Sequence, residues 1–107
     1  MASIGAMGDL LKQAQEMQSR MAKIQEELAG KTVQGSAGGG MVQVTINGQF
    51  NITAVQIEPS VTNAAEKDML EDLVRAAVND GVRKARELAS SEMSKLTGGL
   101  KIPGFTP

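Results

Sequence analysis

Near the N-terminus, seven apolar residues recur at alternating intervals of three and four positions: Met7, Leu10, Ala14, Met17, Met21, Ile24 and Leu28. This spacing is a heptad repeat, which places an apolar stripe along one side of a long helix. A helix over residues 8–29 would be roughly 33 Å long, whereas a compact chain of this length has a radius of gyration of about 13 Å. We therefore expect this helix to extend beyond its own core and its stripe to form the interface with a second copy. The alternative is an ordinary core helix lying on a sheet.

Composition excludes several kinds of functional site. The 107 residues contain no Cys, His, Trp or Tyr, and Phe50 and Phe105 are the only aromatic residues. Without Cys there is neither a disulfide framework nor a thiolate metal site, and without His the commonest general base and metal ligand are missing. We therefore expect no enzyme, no metal and no other cofactor. The shortage of aromatic residues also argues against recognition of single-stranded nucleic acid by base stacking.

The N-terminal segment has neither the basic residues nor the apolar run of a signal peptide. No apolar stretch is long enough to span a membrane, which takes about 18 residues or more. We therefore expect a soluble cytoplasmic protein with no membrane partner and no small-molecule substrate. It should form a single domain over residues 1–107, with residues 1–8 and 98–107 as flexible tails.

Charge is unevenly distributed along a chain whose net charge is −1. Residues 63–80 carry five acidic and two basic residues, whereas residues 81–107 carry five basic and two acidic residues. The basic end suits an anionic partner. The alternative is a solvated helix face with intrahelical ion pairs, for example between Arg83 and Glu87, four residues apart. The acidic group is better explained by its position near a helix N-terminus than by catalysis or metal binding.

Three short strands are predicted in the middle of the chain. A short strand is weakly predicted over residues 31–36, and the glycine-rich residues 37–40 predict a turn. Residues 41–47 alternate between apolar and polar side chains, as in a half-buried strand. A third apolar segment follows, and its phase shifts past Thr53, which indicates a bulge or a twist.

The Asn47-Gly48 pair predicts a hairpin between the second and third strands. A three-residue loop with Gly48 as its left-handed residue pairs Val44 with Phe50 and Val42 with Ile52. We prefer this register because it keeps apolar side chains on one face of both strands.

A second long helix is predicted over residues 66–96. Asn63 and Glu66 have the spacing of a capping box, and Gly81 interrupts the helix either for close packing or for a bend. Its apolar face is broad, as expected for packing on a sheet: Leu70, Leu73, Val74, Ala77, Val78, Val82, Ala85, Leu88 and Ala89. The order helix, three strands, helix predicts an α+β fold with a small antiparallel sheet. Its open sheet edges and its long apolar stripe both favour a homodimer.

The chain resembles the YbaB/EbfC family of bacterial nucleoid-associated proteins over nearly its whole length. The resemblance rests on a set of segments in this order: Leu10-Leu11-Lys12-Gln13-Ala14-Gln15, Met41-Val42-Gln43-Val44-Thr45-Ile46-Asn47-Gly48, Glu58-Pro59-Ser60, Met69-Leu70-Glu71-Asp72-Leu73-Val74, Ala77-Val78-Asn79-Asp80 and Gly98-Gly99-Leu100-Lys101-Ile102-Pro103-Gly104-Phe105. At Gly81 the sequence departs from the Ala that the family leads us to expect.

This resemblance implies a homodimer with protruding helices that binds double-stranded DNA with limited sequence preference and acts in nucleoid organisation or gene regulation. The first candidates for phosphate contact are the basic residues of the C-terminal part: Arg83, Lys84, Arg86, Lys95 and Lys101. The second candidates lie on the first helix: Lys12, Arg20 and Lys23. The alternative function is a protein-interaction or scaffold module that uses the heptad stripe and the apolar C-terminal tail.

Overall fold

A computed structural model describes residues 4–96 of the chain and the side chains of residues 5–96. Its helices and strands follow the predicted order: α1 (Ile4–Gly30), β1 (Thr32–Ala37), β2 (Val42–Asn47), β3 (Ile52–Ile57) and α2 (Lys67–Leu96). The three strands form one antiparallel sheet in the order β1-β2-β3. The α+β fold class and the antiparallel meander are thus confirmed.

α1 is longer than predicted and extends well beyond the core. It begins at Ile4 rather than at residue 8, and its residues 9–29 combine strong helix formers with a single β-branched residue, Ile24. Residues 5–23 are all exposed. The molecule measures 75 × 26 × 17 Å, with a radius of gyration of 20.7 Å. The predicted overhang is confirmed, and we call residues 5–23 the arm.

The main core lies between α2 and the first two strands. Val42, Val44 and Ile46 point from β2 toward α2, where they meet the small residues Ala77 and Ala85. Because small side chains line this face of α2, the helix comes very close to the sheet.

A glycine on each element permits this close approach. A Cβ on Gly35 of β1 would lie 2.1 Å from the Ala77 carbonyl oxygen and 2.3 Å from the Gly81 nitrogen. A Cβ on Gly81 would lie 2.6 Å from Cδ1 of Ile46. Of the two predicted reasons for Gly81, close packing is the one that the structure shows, and α2 continues unbroken through this position.

The predicted hairpin register is wrong. Ile46 lies opposite Ile52, Val44 opposite Val55 and Val42 opposite Ile57. Apolar residues still face one another, but the loop is displaced toward the C-terminus. The pairing skips Thr53, which confirms the bulge expected there.

Contacts between the hairpin and α1 explain the displaced loop. The left-handed residue is Phe50, with φ of 65°, and not Gly48. The Gly48 amide donates to the Leu28 carbonyl at 2.8 Å, and a Cβ on Gly48 would lie 2.6 Å from Leu28 Cδ2. The Asn47 side chain accepts from the amides of Gln49 and Asn51. Gly48 is therefore required for close approach to α1.

A second, smaller core anchors the base of α1. Ile24 and Leu28 pack against Leu96 near the end of α2, together with Leu88, Ala89 and Met93. The side chain of Gln49 also donates to the Gln25 carbonyl at 2.9 Å. The base of α1 is thus held by α2 and by the β2–β3 loop, while the arm projects freely in the described chain.

Candidate nucleic-acid interface

Four basic side chains form no ion pair within residues 4–96: Lys12, Arg20, Lys23 and Arg86. The first three lie on the arm, and all four residues are exposed. Lys12 and Lys23 are eleven residues apart, which is three helical turns, so they lie on the same side of α1. Arg20 lies about 60° around the helix from Lys23. The arm therefore presents a line of available positive charge.

The basic residues on α2 that ranked first in the sequence are largely neutralised by neighbouring carboxylates. Arg83 donates to Asp80 and to Glu87, both at 2.9 Å. Lys84 lies 3.1 Å from Asp80 and also donates to the Gln34 carbonyl at 2.9 Å. The pair with Glu87 was predicted from the spacing, but the contacts of Asp80 were not.

Asp80 is held in its charged form by several donors. The Ser36 amide donates to it at 3.0 Å, and Arg83 and Lys84 add their own bonds. These hydrogen bonds, that of Ser36 first, lower the pKa of Asp80 to about 2. The same contact with Asp80 raises the pKa of Arg83. Asp80 therefore ties α2 to β1 and competes with any external anion for Arg83 and Lys84.

Lys95 takes part in a second ion cluster near the end of α2. Glu92 is only 3% exposed, and its carboxylate accepts from both Lys31 and Lys95, the latter at 3.2 Å. Hydrogen bonding from Lys31 lowers the pKa of Glu92, and the same bond raises the pKa of Lys31. The two lysines satisfy the buried carboxylate and leave the cluster with a net positive charge. Lys101, the remaining candidate, lies outside the described residues.

The structure brings three of the candidate cations together. Arg20 and Lys23 from α1 and Lys95 from α2 line one cleft of about 210 Å³ at the crossing of the two helices. Lys12 and Arg86 lie elsewhere. Glu26 and Glu27 follow Lys23 at the helical spacings of three and four residues, but neither forms an ion pair with it in the described chain.

The heptad stripe divides into two parts with different environments. Ile24 and Leu28 are buried in the chain's own core. The remaining five residues are exposed on the arm: Met7, Leu10, Ala14, Met17 and Met21. Because the inner part is already buried within the chain, only the outer part of the stripe is available to a second molecule.

A further apolar surface lies on β3, and the sequence analysis did not single it out. Ile52, Val55 and Ile57 are 51%, 52% and 39% exposed. They lie opposite the buried residues of β2, so their side chains are on the same side of the sheet as α2. They remain exposed because α2 packs on β1 and β2 and does not extend over β3. The alternation of the third strand was visible in the sequence, but the path of α2 across the sheet was not. We call these three residues the β3 row.

Residues 4–96 contain no cluster of three or more acidic, His or Cys side chains that could hold a metal ion. Neither of the helices described over this range has the length and hydrophobicity of a membrane-spanning segment.

Comparisons with known proteins identify relatives over most of the chain. Residues 4–100 match the model of the YbaB/EbfC DNA-binding family. A nucleoid-associated protein of Desulfotalea psychrophila is 55% identical over 97 residues, which cover 91% of this chain and 92% of the relative. A nucleoid-associated protein of Syntrophobacter fumaroxidans is 50% identical over 95 residues, covering 89% and 86% of the two chains. An uncharacterized Helicobacter pylori protein of known crystal structure shares the fold, with a TM-score of 0.73 at 24% identity over 90% of this chain and 98% of that one.

Proposed function

The chain belongs to the YbaB/EbfC DNA-binding family, and from this premise we propose that it binds double-stranded DNA as a homodimer. Binding occurs through the phosphate backbone with weak sequence preference, and it serves nucleoid organisation and gene regulation in the cytoplasm. Curated relatives are named nucleoid-associated proteins, and the family is not one of enzymes.

The observation that carries the DNA-binding mode is the line of unpaired cations on the arm. A cation without an internal partner binds a phosphate without first giving up an ion pair. We therefore propose Lys12, Arg20 and Lys23 as the principal contacts, and Arg86 on α2 as a secondary one. Arg83 and Lys84 contribute less because Asp80 and Glu87 already hold them. Lys95 shares the single carboxylate of Glu92 with Lys31 and so keeps part of its charge available. This order reverses the ranking made from charge density along the sequence.

A salt titration tests the phosphate-contact mode. Three arm cations on each of two protomers give six contacts, so the slope of log K against log salt should be about −5. Affinity should then fall roughly 1,000-fold between 50 and 200 mM salt. Duplexes of unrelated sequence should show the same slope. A flat dependence would contradict phosphate binding and favour a protein-interaction module instead.

Charge-matched variants locate the contacts. Lys12→Gln with Lys23→Gln removes four cations from the dimer and should reduce the slope by about 3.6. Lys67→Gln with Arg75→Gln removes the same charge from the acidic half of α2, where both cations are paired with carboxylates. This control should leave the slope unchanged. Equal effects of the two double variants would assign the salt dependence to net charge rather than to the arm.

Two exposed apolar surfaces support the homodimer. Large contiguous apolar patches are uncommon on monomeric soluble proteins. The outer heptad stripe suits a second helix, and β3 is an open sheet edge with apolar side chains. We propose that the dimer covers the stripe residues Met7, Leu10, Ala14, Met17 and Met21 together with the β3 row. The inner stripe residues Ile24 and Leu28 then support this interface from within each protomer.

Sedimentation over a range of micromolar concentrations tests the dimer. Val55→Asp on the β3 row and Met17→Asp on the stripe should each weaken association, because each buries an unpaired charge in the interface. Gln56→Asp and Gln18→Asp are matched controls on neighbouring positions that face another way. They should associate as the natural chain does. A well-folded monomer throughout this range would refute the dimer. The salt titration would then be interpreted for a single chain with three arm cations.

A further inference from the structure

The cleft between α1 and α2 has features of a binding site for a phosphate group. Arg20 and Lys23 form one wall, Lys95 stands on the other helix, and Ile24 and Leu96 supply an apolar floor. Its volume is about 210 Å³. The two α1 cations form no ion pair in residues 4–96, so the cleft offers donors that have no internal acceptor.

The charges around the cleft favour an anion. Glu27 also lines it, and Glu92 lies behind Lys95 with Lys31 as its second partner. Four cations thus surround two carboxylates, which leaves a net charge of +2. Guanidinium and ammonium groups are the usual protein partners of phosphate oxygens. The low-dielectric floor of Ile24 and Leu96 strengthens the attraction between these groups and a bound anion.

Both walls of the cleft are held in place. The small core of Ile24, Leu28 and Leu96 fixes the crossing of the helices. The buried Glu92 carboxylate holds Lys95 at 3.2 Å. Arg20 and Lys23 lie within four residues of the anchored Ile24, so their backbone stays close to Lys95 before a ligand arrives, which lowers the ordering cost of binding.

We infer that this cleft binds a phosphoryl group by clamping it between Arg20 and Lys23 of α1 and Lys95 of α2. The same chemistry serves a phosphodiester of DNA or the terminal phosphate of a small free molecule. The inference deepens the proposed function, since it identifies one defined phosphate pocket within an otherwise extended contact line. It also predicts that a small polyphosphate competes with DNA when the pocket serves the duplex.

Methyl NMR of the full-length chain tests the cleft directly. Inorganic pyrophosphate is added at constant ionic strength while the methyl signals of Ile24 and Leu96 are followed. We expect saturable shifts of these signals, with little change at Ile52 on β3. Arg20→Gln with Lys23→Gln should weaken pyrophosphate binding at least about tenfold, because a charged hydrogen bond is typically worth that factor or more. Lys67→Gln with Arg75→Gln, which removes equal charge far from the cleft, should bind as the natural chain does.

A parallel titration with a DNA duplex distinguishes the two sources of phosphate. If pyrophosphate and duplex shift the same methyl signals and compete, the pocket serves DNA. If pyrophosphate binds but the duplex neither competes nor shifts them, the pocket serves a free phosphate; both results support the inference. Shifts absent with both ligands, or equal in the two double variants, would overturn it. Duplex binding with no cleft shifts from either ligand would refute the pocket alone, whereas cleft shifts with pyrophosphate and no duplex binding at all would refute the proposed function alone.

Discussion

Replacing Leu28 by Ala tests whether the arm is anchored through its base. Leu28 is 2% exposed and belongs to the small core at the crossing of α1 and α2. Burial of a leucine side chain contributes about 1.5–3 kcal/mol, and Leu→Ala substitutions in cores cost about 2–5 kcal/mol. The neighbours Ile24 and Leu96 are 8% and 9% exposed, so the site can partly collapse. We therefore expect the free energy of unfolding to fall by about 2–3 kcal/mol.

The same substitution at Leu11 is the control. Leu11 lies on the same helix and is 63% exposed, and Ala is at least as good a helix former as Leu. Leu11→Ala should change the free energy of unfolding by no more than about 0.5 kcal/mol. Urea unfolding followed by circular dichroism provides the measurement. All variants are compared at one protein concentration, because the stability of a dimer depends on it. A Leu28→Ala protein as stable as Leu11→Ala would refute the anchoring of the arm.

Three further predictions concern the sheet–helix contact and the ion cluster on α2. Gly35→Ala should lower the free energy of unfolding by about 1–3 kcal/mol, since the added Cβ meets backbone atoms that cannot rotate away. The control, Gly8→Ala on the arm, adds a Cβ that meets nothing and should raise the free energy of unfolding by about 0.5–1 kcal/mol. Equal effects of the two substitutions would contradict the close approach of α2 to the sheet. Asp80→Asn should raise duplex affinity, because it removes the carboxylate that holds Lys84 and one of the two that hold Arg83. Asp72→Asn, which releases only Arg75 in the acidic half, should raise it less in gel-shift titrations. The pKa of Asp80 in the folded chain, about 2, lies below its ordinary value of 3.8, so the stabilisation from its charged form is present above pH 3.8 and is lost as the pH falls toward 2. The difference in free energy of unfolding between the natural chain and Asp80→Asn should therefore shrink between pH 5 and pH 2. A constant difference would refute the stabilising role of the charged Asp80.

Local patterns predicted the elements of this fold well. The heptad spacing identified α1 and its overhang. The spacing of Asn63 and Glu66 marked the 3-10 turn over residues 64–66 that leads into α2, where the Asn63 side chain accepts from the Glu66 amide at 3.1 Å. The bulge at Thr53 was visible as a change of phase. Each of these features depends on residues close together in sequence, so a period or a short motif is enough to reveal it.

Tertiary contacts account for what the sequence did not reveal. The hairpin register was misjudged because Gly48 is selected by its contact with Leu28 of α1, twenty residues earlier, rather than by the turn itself. The β3 row was missed because its exposure depends on the path of α2. The basic residues were ranked by density, which does not show that Asp80 reaches both Arg83 and the Ser36 amide on β1. The candidate phosphate contacts could therefore be ranked only with the structure in hand.

The position of the arm explains how a chain with net charge −1 suits a polyanion. Lys12 lies twelve residues from Ile24, which places it roughly 18 Å along α1 from the anchored base. The acidic residues in the first half of α2 lie between positions 68 and 80, whereas the base of α1 contacts residues 88–96, so they are farther from Lys12 than the base is. Separations greater than the Debye length of about 8 Å at physiological ionic strength are largely screened, and the acidic half of α2 therefore exerts little influence on the arm. The arm carries three cations and only two carboxylates, those of Asp9 and Glu16, so its own net charge is positive. A phosphate backbone therefore meets the local charge of the arm and not the net charge of the chain, and a variant that removes arm cations must weaken binding more than one that lowers the net charge elsewhere.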